Sequence, residues 1–342
     1  MKTILLFSIL SLTIFSVNAQ DSKSSDFKAV FYNLENLFDT FDDTTIWDEQ
    51  FLPEGDKHWT YWKYQTKLKN LAKVITAAGG WQTAAVVGAC EIENAFVLDE
   101  LTTKSPLKKL GYKFIHKESP DRRGIDVALL YQEDQFTPVF YKFIQIDFPF
   151  DPEKKTRDIL YVKGLTNNKD TLHIFVNHWP SRWGGQMKSE PKRIFVAQTL
   201  RKQVDSLFTY AKNPNILIMG DFNDTPTDKS VLEYLKAHPP VKNPEPKNIY
   251  DLMYPLSQTH EGTHPYQGHW AVLDHMIVST SLLNKNNSIH TSVKNAYPFR
   301  ADFLLEDDTK YGGKKTNRSY LGFKYHGGYS DHLPVILDLF FK

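Results

Sequence analysis

Side chains suited to metal and phosphate chemistry occur at six places along the sequence, each at the predicted end or start of a strand. They are Asn33 with Glu35, Glu91, His178, Asp221 with Asn223, Asp274 with His275, and Asp331 with His332. Carboxylate and carboxamide oxygens without cysteine thiolates suit hard divalent cations such as Mg²⁺, Mn²⁺ or Ca²⁺. An imidazole beside a carboxylate can act as an acid, a base or a charge-stabilising group. The pattern predicts metal-assisted chemistry on a phosphate.

Residues 215–224 are the clearest instance of this arrangement. Residues 216–219 form a continuous apolar run, as expected for a strand buried on both faces. Gly220 ends the run, and Asp221 and Asn223 follow it. A buried strand can hold such groups rigidly at its end. An Asx-rich turn that merely closes a strand would have a similar sequence.

More strands than helices are predicted to position these residues. We predict strands over residues 27–32, 84–90, 112–116, 126–131, 135–146, 159–165, 172–177, 215–219, 273–278 and 335–340, and helices over 61–78, 95–104, 191–210 and 229–235. Residues 284–328 are predicted to be mostly surface loops around one strand near Ala296. Several strand pairs are too close for helical crossovers, which favours mixed sheets with helices outside them. No segment resembles a linker between two cores, so we expect one domain.

The first 19 residues have the pattern of a secretory signal. Lys2 precedes an apolar run over residues 4–15, and Val17 and Ala19 occupy the −3 and −1 positions, so we expect cleavage after Ala19. The run is short for a membrane span and lacks a stop-transfer flank. The residue directly after the cleavage site is Gln20 and not cysteine, which argues against a lipid anchor at a new N-terminal cysteine. We therefore predict export to the periplasm or the extracellular space.

Charge and cysteine content exclude some classes of protein. Lys2 is the one charged residue in the signal, so its removal changes 41 Lys+Arg and 40 Asp+Glu into 40 of each, a net charge of zero. A neutral chain does not indicate non-specific affinity for nucleic acid or anionic lipid, although local basic groups can bind phosphate. The single cysteine, Cys90, cannot form an internal disulfide. Stability must come from the core, for which 41% hydrophobic residues are available.

In their order, the six motifs resemble those of the endonuclease/exonuclease/phosphatase superfamily, which includes pancreatic-type deoxyribonuclease, abasic-site endonucleases, sphingomyelinases and inositol-polyphosphate phosphatases. The resemblance covers about residues 27–341. It rests on Tyr32-Asn33-Leu34-Glu35-Asn36, Cys90-Glu91, Asn177-His178, Gly220-Asp221-Phe222-Asn223, Leu273-Asp274-His275 and Ser330-Asp331-His332-Leu333-Pro334. It implies an α/β fold of the α+β type, a four-layer α/β/β/α sandwich with two mixed β-sheets, within a catalytic domain of residues 27–342.

The resemblance also implies a metal site, with Mg²⁺ or else Mn²⁺ or Ca²⁺ as the cofactor. Glu91 is similar to the principal metal ligand of the family. Asn33 and Glu35 are expected to support it, and Asp331 to bind directly or through water. Glu35 departs from the aspartate that many abasic-site nucleases have at this position, so direct ligation by Glu35 is left open.

The catalytic roles follow from the same resemblance. Asp221 is similar to the group that aligns or deprotonates the attacking water, and Asn223 to the group that positions the phosphate. His332 resembles the imidazole at the scissile phosphate, which Asp274 would orient and keep cationic. His178 is similar to a second histidine that contacts the phosphate. A packed histidine at a strand end is the alternative for His178.

Three residues are tentative substrate contacts. Arg123 and Arg182 could bind phosphate through their guanidinium groups or could be solvated loop charges. Asp126 could hydrogen-bond His178, because it begins a strand expected to be adjacent, or could simply start that strand.

Four further polar residues near these motifs are expected to have structural roles and not catalytic ones. Glu93 and Asn94 are expected to cap the following helix, His275 to be structural, and Cys90 to be a buried cysteine at a position where glutamine is common in the family. Four aromatic residues could stack on a substrate or pack within loops: Trp179, Trp183, Tyr266 and Trp270.

The sequence therefore predicts an exported, metal-dependent phosphodiesterase of the nuclease type, which we expect to be monomeric and to act on a phosphate ester, nucleic acid included. The alternative substrates are a phospholipid head group, as in sphingomyelinases, and an inositol or sugar phosphate. A third hypothesis, an inactive binding module, is disfavoured by the retained site residues.

Overall fold

The computed structural model describes residues 25–342, so the predicted secretory signal lies outside the described residues. The strands are β1 (Phe27–Leu37), β2 (Val86–Ile92), β3 (Lys113–His116), β4 (Asp126–Tyr131), β5 (Phe136–Ile144), β6 (Ile159–Thr166), β7 (Thr171–His178), β8 (Asn215–Asp221), β9 (Ala237–His238), β10 (Ile249–Asp251), β11 (His264–Tyr266), β12 (His269–Ala271), β13 (Asp274–Ser279), β14 (Ile289–His290), β15 (Ala296–Pro298), β16 (Leu305–Asp307), β17 (Lys314–Thr316), β18 (Tyr320–Leu321), β19 (Lys324–Tyr325) and β20 (Val335–Phe341). The α-helices are α1 (Tyr61–Gly79), α2 (Ala95–Thr103), α3 (Gln186–Tyr210) and α4 (Tyr254–Ser257), and a π-helical turn spans Ser230–Leu235. None of the helices in this part of the chain is both long and apolar enough to cross a membrane.

Most strands belong to two seven-stranded sheets. The first has the order β14-β20-β1-β2-β4-β3, with β15 also paired to β20, and the second has the order β5-β6-β7-β8-β13-β10-β9. The pairs β1/β2 and β7/β8 are parallel, whereas β20 and β13 run antiparallel to their partners β1 and β8. Both sheets are therefore mixed, as predicted.

Three hydrophobic cores separate four layers. Helix α1 packs on the outer face of the first sheet, the two sheets pack face to face, and α3 packs on the outer face of the second sheet. Strand β8 illustrates the arrangement, because Leu217 and Met219 point between the sheets while Ile216 and Ile218 point towards α3. The predicted four-layer α/β/β/α sandwich is confirmed, and β8 is buried on both faces.

Two predicted segments differ from the structure. Helix α3 begins at Gln186 rather than at Pro191, which lies inside the helix. Pro191 is the sixth residue of the helix and lacks the N–H that would bond the carbonyl of residue 187, so a sequence interpretation that starts the helix at proline places the start too late. Residues 284–328 contain six short strands, β14 to β19, instead of one. Each has two or three residues, too few for an alternating pattern to be recognised.

Candidate active site

The sheet topology brings the six motifs to one edge of the sandwich. Asn33, Glu91, His178 and Asp221 lie at or near the carboxyl ends of the parallel strands β1, β2, β7 and β8. Asp274 begins β13 and His332 precedes β20, and both of these strands run in the opposite direction. Strand ends and strand starts therefore meet at the same edge.

The backbone at this edge is unusual. Glu35, Asn36, Glu91 and Asn223 all have positive φ angles, of 50°, 57°, 62° and 52°. Non-glycine residues seldom adopt this conformation, and it is concentrated at functional sites. Position 220 requires glycine for a steric reason, because a Cβ atom there would lie 2.4 Å from the Asn177 carbonyl oxygen. The end of β8 can approach β7 this closely only with glycine.

Asp221 lies at the centre of the site. Its Oδ2 accepts a hydrogen bond from Asn33 Nδ2 at 3.1 Å, and its Oδ1 accepts one from the Asn223 backbone N–H at 2.8 Å. The same Oδ2 lies 3.7 Å from His332 Nε2 and 3.8 Å from His178 Nε2. Burial raises the pKa of Asp221 to about 7; Asp274 adds to the rise and His332 opposes it. The carboxyl group can therefore exchange a proton near neutral pH.

His332 is held by a second buried carboxylate. Its Nδ1 lies 2.8 Å from Asp274 Oδ2, and Asp274 is fully buried. Although burial opposes the charge, Asp274 and Asp221 raise the pKa of His332 well above its ordinary value. Thr263 helps to hold Asp274 in this position, because the Thr263 Oγ1 accepts a hydrogen bond from the Asp274 backbone N–H at 3.2 Å.

The pKa of His178 is shifted in the opposite direction from that of His332. Burial, with the nearby Arg157 and Arg123, lowers its pKa well below the ordinary value. Its Nδ1 has no hydrogen-bond partner among residues 25–342. A neutral imidazole with a free ring nitrogen is thus available beside Asp221.

The predicted metal ligands are not equally available. Glu91 Oε2 accepts the Asn36 backbone N–H at 2.9 Å, and its Oε1 lies 3.8 Å from His178 Nε2. Asp331 bonds through Oδ2 to Arg318 Nη2 at 2.8 Å. Although burial opposes it, Arg318 lowers the pKa of Asp331, which stays ionised. Both residues therefore keep a carboxylate oxygen for a cation.

Glu35 is occupied by protein groups. Its Oε1 accepts a hydrogen bond from Arg318 Nε at 2.9 Å and its Oε2 one from the Ser319 N–H at 2.7 Å, with Lys67 Nζ 3.7 Å away. Asn33 is similarly engaged, since its Oδ1 accepts the Glu35 N–H at 2.9 Å. Direct ligation by Glu35, which the sequence left open, would have to displace these contacts.

The three residues proposed as additional substrate contacts lie in different places relative to the cleft. Arg123 is exposed and lines the cleft. Arg182 lies behind the Asp221 loop, where its guanidinium binds the Asn223 carbonyl at 2.6 Å and Asp228 at 2.7 Å. The predicted hydrogen bond between Asp126 and His178 is wrong. Asp126 points to the Ser119 N–H instead, at 3.0 Å.

Several other predictions can be compared with the structure. Asn94 caps α2 by accepting the Val97 N–H, as predicted, but Glu93 accepts the Asp39 N–H instead of capping. His275 is buried and bonds Asp251 at 2.6 Å, which is a structural role. Cys90 is buried, as expected.

The four aromatic residues that could contact a substrate lie in different environments. Trp179 is buried and stacks on Phe222, so it belongs to the core. Trp183 is 89% exposed and lines the cleft. Tyr266 is exposed, and the Trp270 ring lies under the Arg300 guanidinium. Of the four, Trp183 combines exposure with a place in the cleft.

His264 and Arg157 were missed by the sequence interpretation. The His264 ring lies 4.6 Å from the His332 ring, and burial together with His332 lowers the pKa of His264 to about 4. Arg157 is buried and bonds Asp121 at 2.9 Å and the Trp179 carbonyl at 2.7 Å. The sequence offers a weak signal for His264, which follows Gly262-Thr263, and none for Arg157.

These groups border a cleft of about 940 Å³. Glu91, His178, Asp221, Asn223, His264 and His332 line it, and Asn33 and Asp274 are buried behind them. Arg122, Arg123, Lys154 and Lys188 line its outer part, and none of them forms an ion pair within residues 25–342. The cleft therefore has an acidic floor and a basic rim.

A divalent cation fits the donors on this floor. Glu91 Oε1 accepts no hydrogen bond from the described residues, and carboxylate oxygens are the preferred ligands of Mg²⁺. His264, Asp331 and His332 also form a compact group, as do Asp221, Asp274 and His332. Asp331 belongs to the first of these groups, and Glu91 belongs to neither.

Comparison with known proteins supports one family. Residues 28–340 match the model of the Endonuclease/Exonuclease/phosphatase family. No curated protein sequence matches the chain.

Solved structures with a similar fold include the human nocturnin catalytic domain with a bound sulfate anion, at TM-score 0.55 and 17% identity, covering 92% of this chain and 94% of that one. A Bacteroides thetaiotaomicron mannosyl-6-phosphatase has TM-score 0.54 and 15% identity, covering 92% and 100%. TDP2 from D. rerio, complexed with a single-strand DNA product, has TM-score 0.52 and 12% identity, covering 92% and 98%. The match over residues 28–340 shows that the chain belongs to the endonuclease/exonuclease/phosphatase family.

Proposed function

We propose that this protein is a metal-dependent phosphoesterase, most plainly a phosphodiesterase of the nuclease type, with residues 27–342 as its catalytic domain. One observation carries the proposal: His332 and His178 each lie within 4 Å of Asp221 at the floor of a cleft. The pKa values of the three groups are shifted differently, since those of Asp221 and His332 are raised and that of His178 is lowered. Separated pKa values of this kind are what acid–base chemistry at one phosphate requires.

Glu91 and Asp331 would hold the cation, with Asn33 supporting the site. When bound, the metal would offset negative charge on the phosphoryl and leaving oxygens. The ionised form of Asp221 would orient a water molecule and accept its proton. His332, kept cationic by Asp274, would donate a hydrogen bond to the phosphoryl group. Neutral His178 and Asn223 would position the phosphate.

The basic rim favours a nucleic acid or another polyanion as the substrate. Arg122, Arg123, Lys154 and Lys188 have no carboxylate partners among residues 25–342, so an anionic substrate can neutralise them. The exposed Trp183 ring beside them can stack on a base. The likeness to TDP2 with a single-strand DNA product is consistent with this substrate class.

A phosphate on a lipid head group, an inositol or a sugar is the second candidate. The net charge of the chain without the predicted signal is zero, which favours a small substrate over a long nucleic acid along which the enzyme would have to move. The likeness to a mannosyl-6-phosphatase points in the same direction. Export through the predicted signal is compatible with either substrate class.

The test is a panel of duplex DNA, RNA, sphingomyelin, inositol phosphates and mannose 6-phosphate, each incubated with the purified protein and Mg²⁺, with and without EDTA. We expect hydrolysis of at least one class, and EDTA should abolish it. Binding of DNA should weaken steeply with salt if a nucleic acid is the substrate. A flat salt dependence would favour the second candidate, and no hydrolysis of any member would favour the inactive binding module.

A further inference from the structure

A second pocket of about 250 Å³ opens beside the cleft. Phe51, Lys57, Trp59, Arg318 and Tyr320 line it, together with Glu35. Three residues, Asn36, Phe51 and Lys57, line both this side pocket and the cleft. The Asn36 backbone N–H donates to Glu91 Oε2 at 2.9 Å. The junction of the two cavities therefore lies next to the principal carboxylate of the active site.

Lys57 stands at this junction without a counter-ion. Its Nζ lies 4.8 Å from the Phe51 ring centroid and 4.7 Å from that of Tyr320. The ammonium group itself forms no hydrogen bond and no ion pair within 4 Å with any residue of the described range 25–342, and Glu35, Glu91 and Asp331 act on it at longer range. The side chain is half-buried, and burial lowers the pKa of the ammonium group. The two rings compensate only part of the lost hydration.

The backbone of Lys57 is fixed on both sides. Its N–H donates to the Gln50 carbonyl at 3.2 Å. Its own carbonyl accepts hydrogen bonds from the Tyr320 hydroxyl at 2.9 Å and from Lys63 Nζ at 3.0 Å. The main chain that carries this side chain is thus fixed before any ligand arrives, which reduces the entropy cost of binding.

Arg318 gives the side pocket a second cation. Its Nε and Nη2 bind Glu35 and Asp331, and its Nη1 donates to no group in the described part of the chain. Glu35, the single carboxylate of the side pocket, has both oxygens engaged by Arg318 and the Ser319 N–H. Arg318 is therefore already paired with two carboxylates, and Lys57 is the cation of the side pocket whose ammonium group has no partner among the described residues.

We propose that the side pocket binds a second phosphate group of the substrate, with Lys57 as its main contact, while the scissile phosphate lies at Asp221 and His332. The inference rests on the proposed function for the position of the scissile group. A substrate with two suitably spaced phosphates would then be preferred over one with a single phosphate. The alternative is that Lys57 only stabilises its own loop, by packing its ammonium group against the Phe51 and Tyr320 rings.

The test uses phosphonates, which the enzyme cannot hydrolyse at the C–P bond. Binding of α,ω-alkane bisphosphonates with two to six carbons, and of the matching alkylphosphonates, is measured by calorimetry with Mg²⁺. We expect one bisphosphonate to bind at least about tenfold more tightly than its monophosphonate, the usual effect of a hydrogen bond to a charged group. Lys57→Met should remove that advantage and leave monophosphonate binding unchanged, whereas Lys57→Arg should keep most of it.

Lys73→Met is the matched control. Lys73 Nζ also lies over aromatic rings, 4.0 Å from the Phe303 centroid and 5.2 Å from that of Tyr329, but Lys73 does not line either cavity and has no contact with Lys57. This variant should keep the bisphosphonate advantage. If every bisphosphonate binds like its monophosphonate, or if Lys57→Met keeps the advantage, the inference is wrong while the phosphoesterase proposal stands. If no phosphonate binds and no phosphate ester is hydrolysed, both fail.

Discussion

The two imidazoles that approach Asp221 lie at almost equal distances from it but prefer opposite charges. His332 Nε2 is 3.7 Å and His178 Nε2 is 3.8 Å from Asp221 Oδ2. His332 has Asp274 on its other nitrogen, whereas His178 has Arg157 and Arg123 nearby and no partner at Nδ1 among the described residues. The neighbours, and not the residue type, decide the charge.

Activity should rise with pH through about 7. The pKa of Asp221 is raised to about 7, so the carboxyl group is largely protonated below that pH and can accept a proton from water only above it. The measurement is kcat/KM against pH for a phosphodiester, in the wild type and in Asp221→Asn. We expect an acidic limb near neutrality that the residual activity of the variant lacks. An acidic limb near the ordinary carboxyl value, or one that persists in Asp221→Asn, would contradict the role of Asp221.

The sequence predicted some residues of the site and missed others. Asp221, Asp274 and His332 were identified because each belongs to a short motif at a strand terminus. His264 and Lys57 belong to no such motif, and their positions depend on how separate loops fold over the edge of the sheets. Long-range placement of loops leaves no periodic signal in a sequence, so these residues required the structure.

Helix α3 and the loop that follows strand β8 are joined by a buried ion pair. Arg193 Nε of α3 lies 2.7 Å from Asp224 Oδ2, and both side chains are almost fully buried. Asp224 Oδ2 also accepts a hydrogen bond from the Ser230 hydroxyl at the start of the π-helical turn. The pair anchors the loop that carries Asp221 and Asn223.

Breaking this pair should destabilise the fold. Arg193→Met would leave a buried carboxylate without its main partner, and we expect a loss of about 3 kcal/mol in the free energy of unfolding. Arg201→Met is the control on the same helix, because Arg201 pairs with the 55% exposed Asp205 and its loss should cost less than about 1 kcal/mol. Urea unfolding followed by circular dichroism measures both. Equal stability of the two variants would show that the buried pair does not anchor the loop.

Elements were predicted well where they are long. Strands such as β4 and helices such as α1 have clear apolar periodicity, and their predicted bounds agree with the structure to within a few residues. The short strands β16 to β19 have no such pattern, although they carry Arg318 and Tyr320 towards the site. The part of the molecule that shapes the cleft is thus the part that the sequence predicts least.

For the molecule as a whole, the order of strands explains why distant motifs share one site. Parallel neighbours bring Asn33 beside Glu91 and His178 beside Asp221, and the antiparallel strands β20 and β13 add His332 and Asp274 from the other direction. The resemblance to the family predicted this architecture from six motifs. It did not predict the substrate, because the rim of the cleft and the side pocket are built from loops outside those motifs.

The central claim is that these motifs form one hydrolytic site around Asp221 and His332. The most direct measurement is kcat/KM for bis(p-nitrophenyl) phosphate with Mg²⁺ in Asp221→Asn and His332→Ala, with the exposed Asp205→Asn as the control. We predict losses on the order of 10²–10⁴-fold in the first two variants, with thermal stability retained, and wild-type activity in the control. Near-normal turnover in either site variant would contradict the claim.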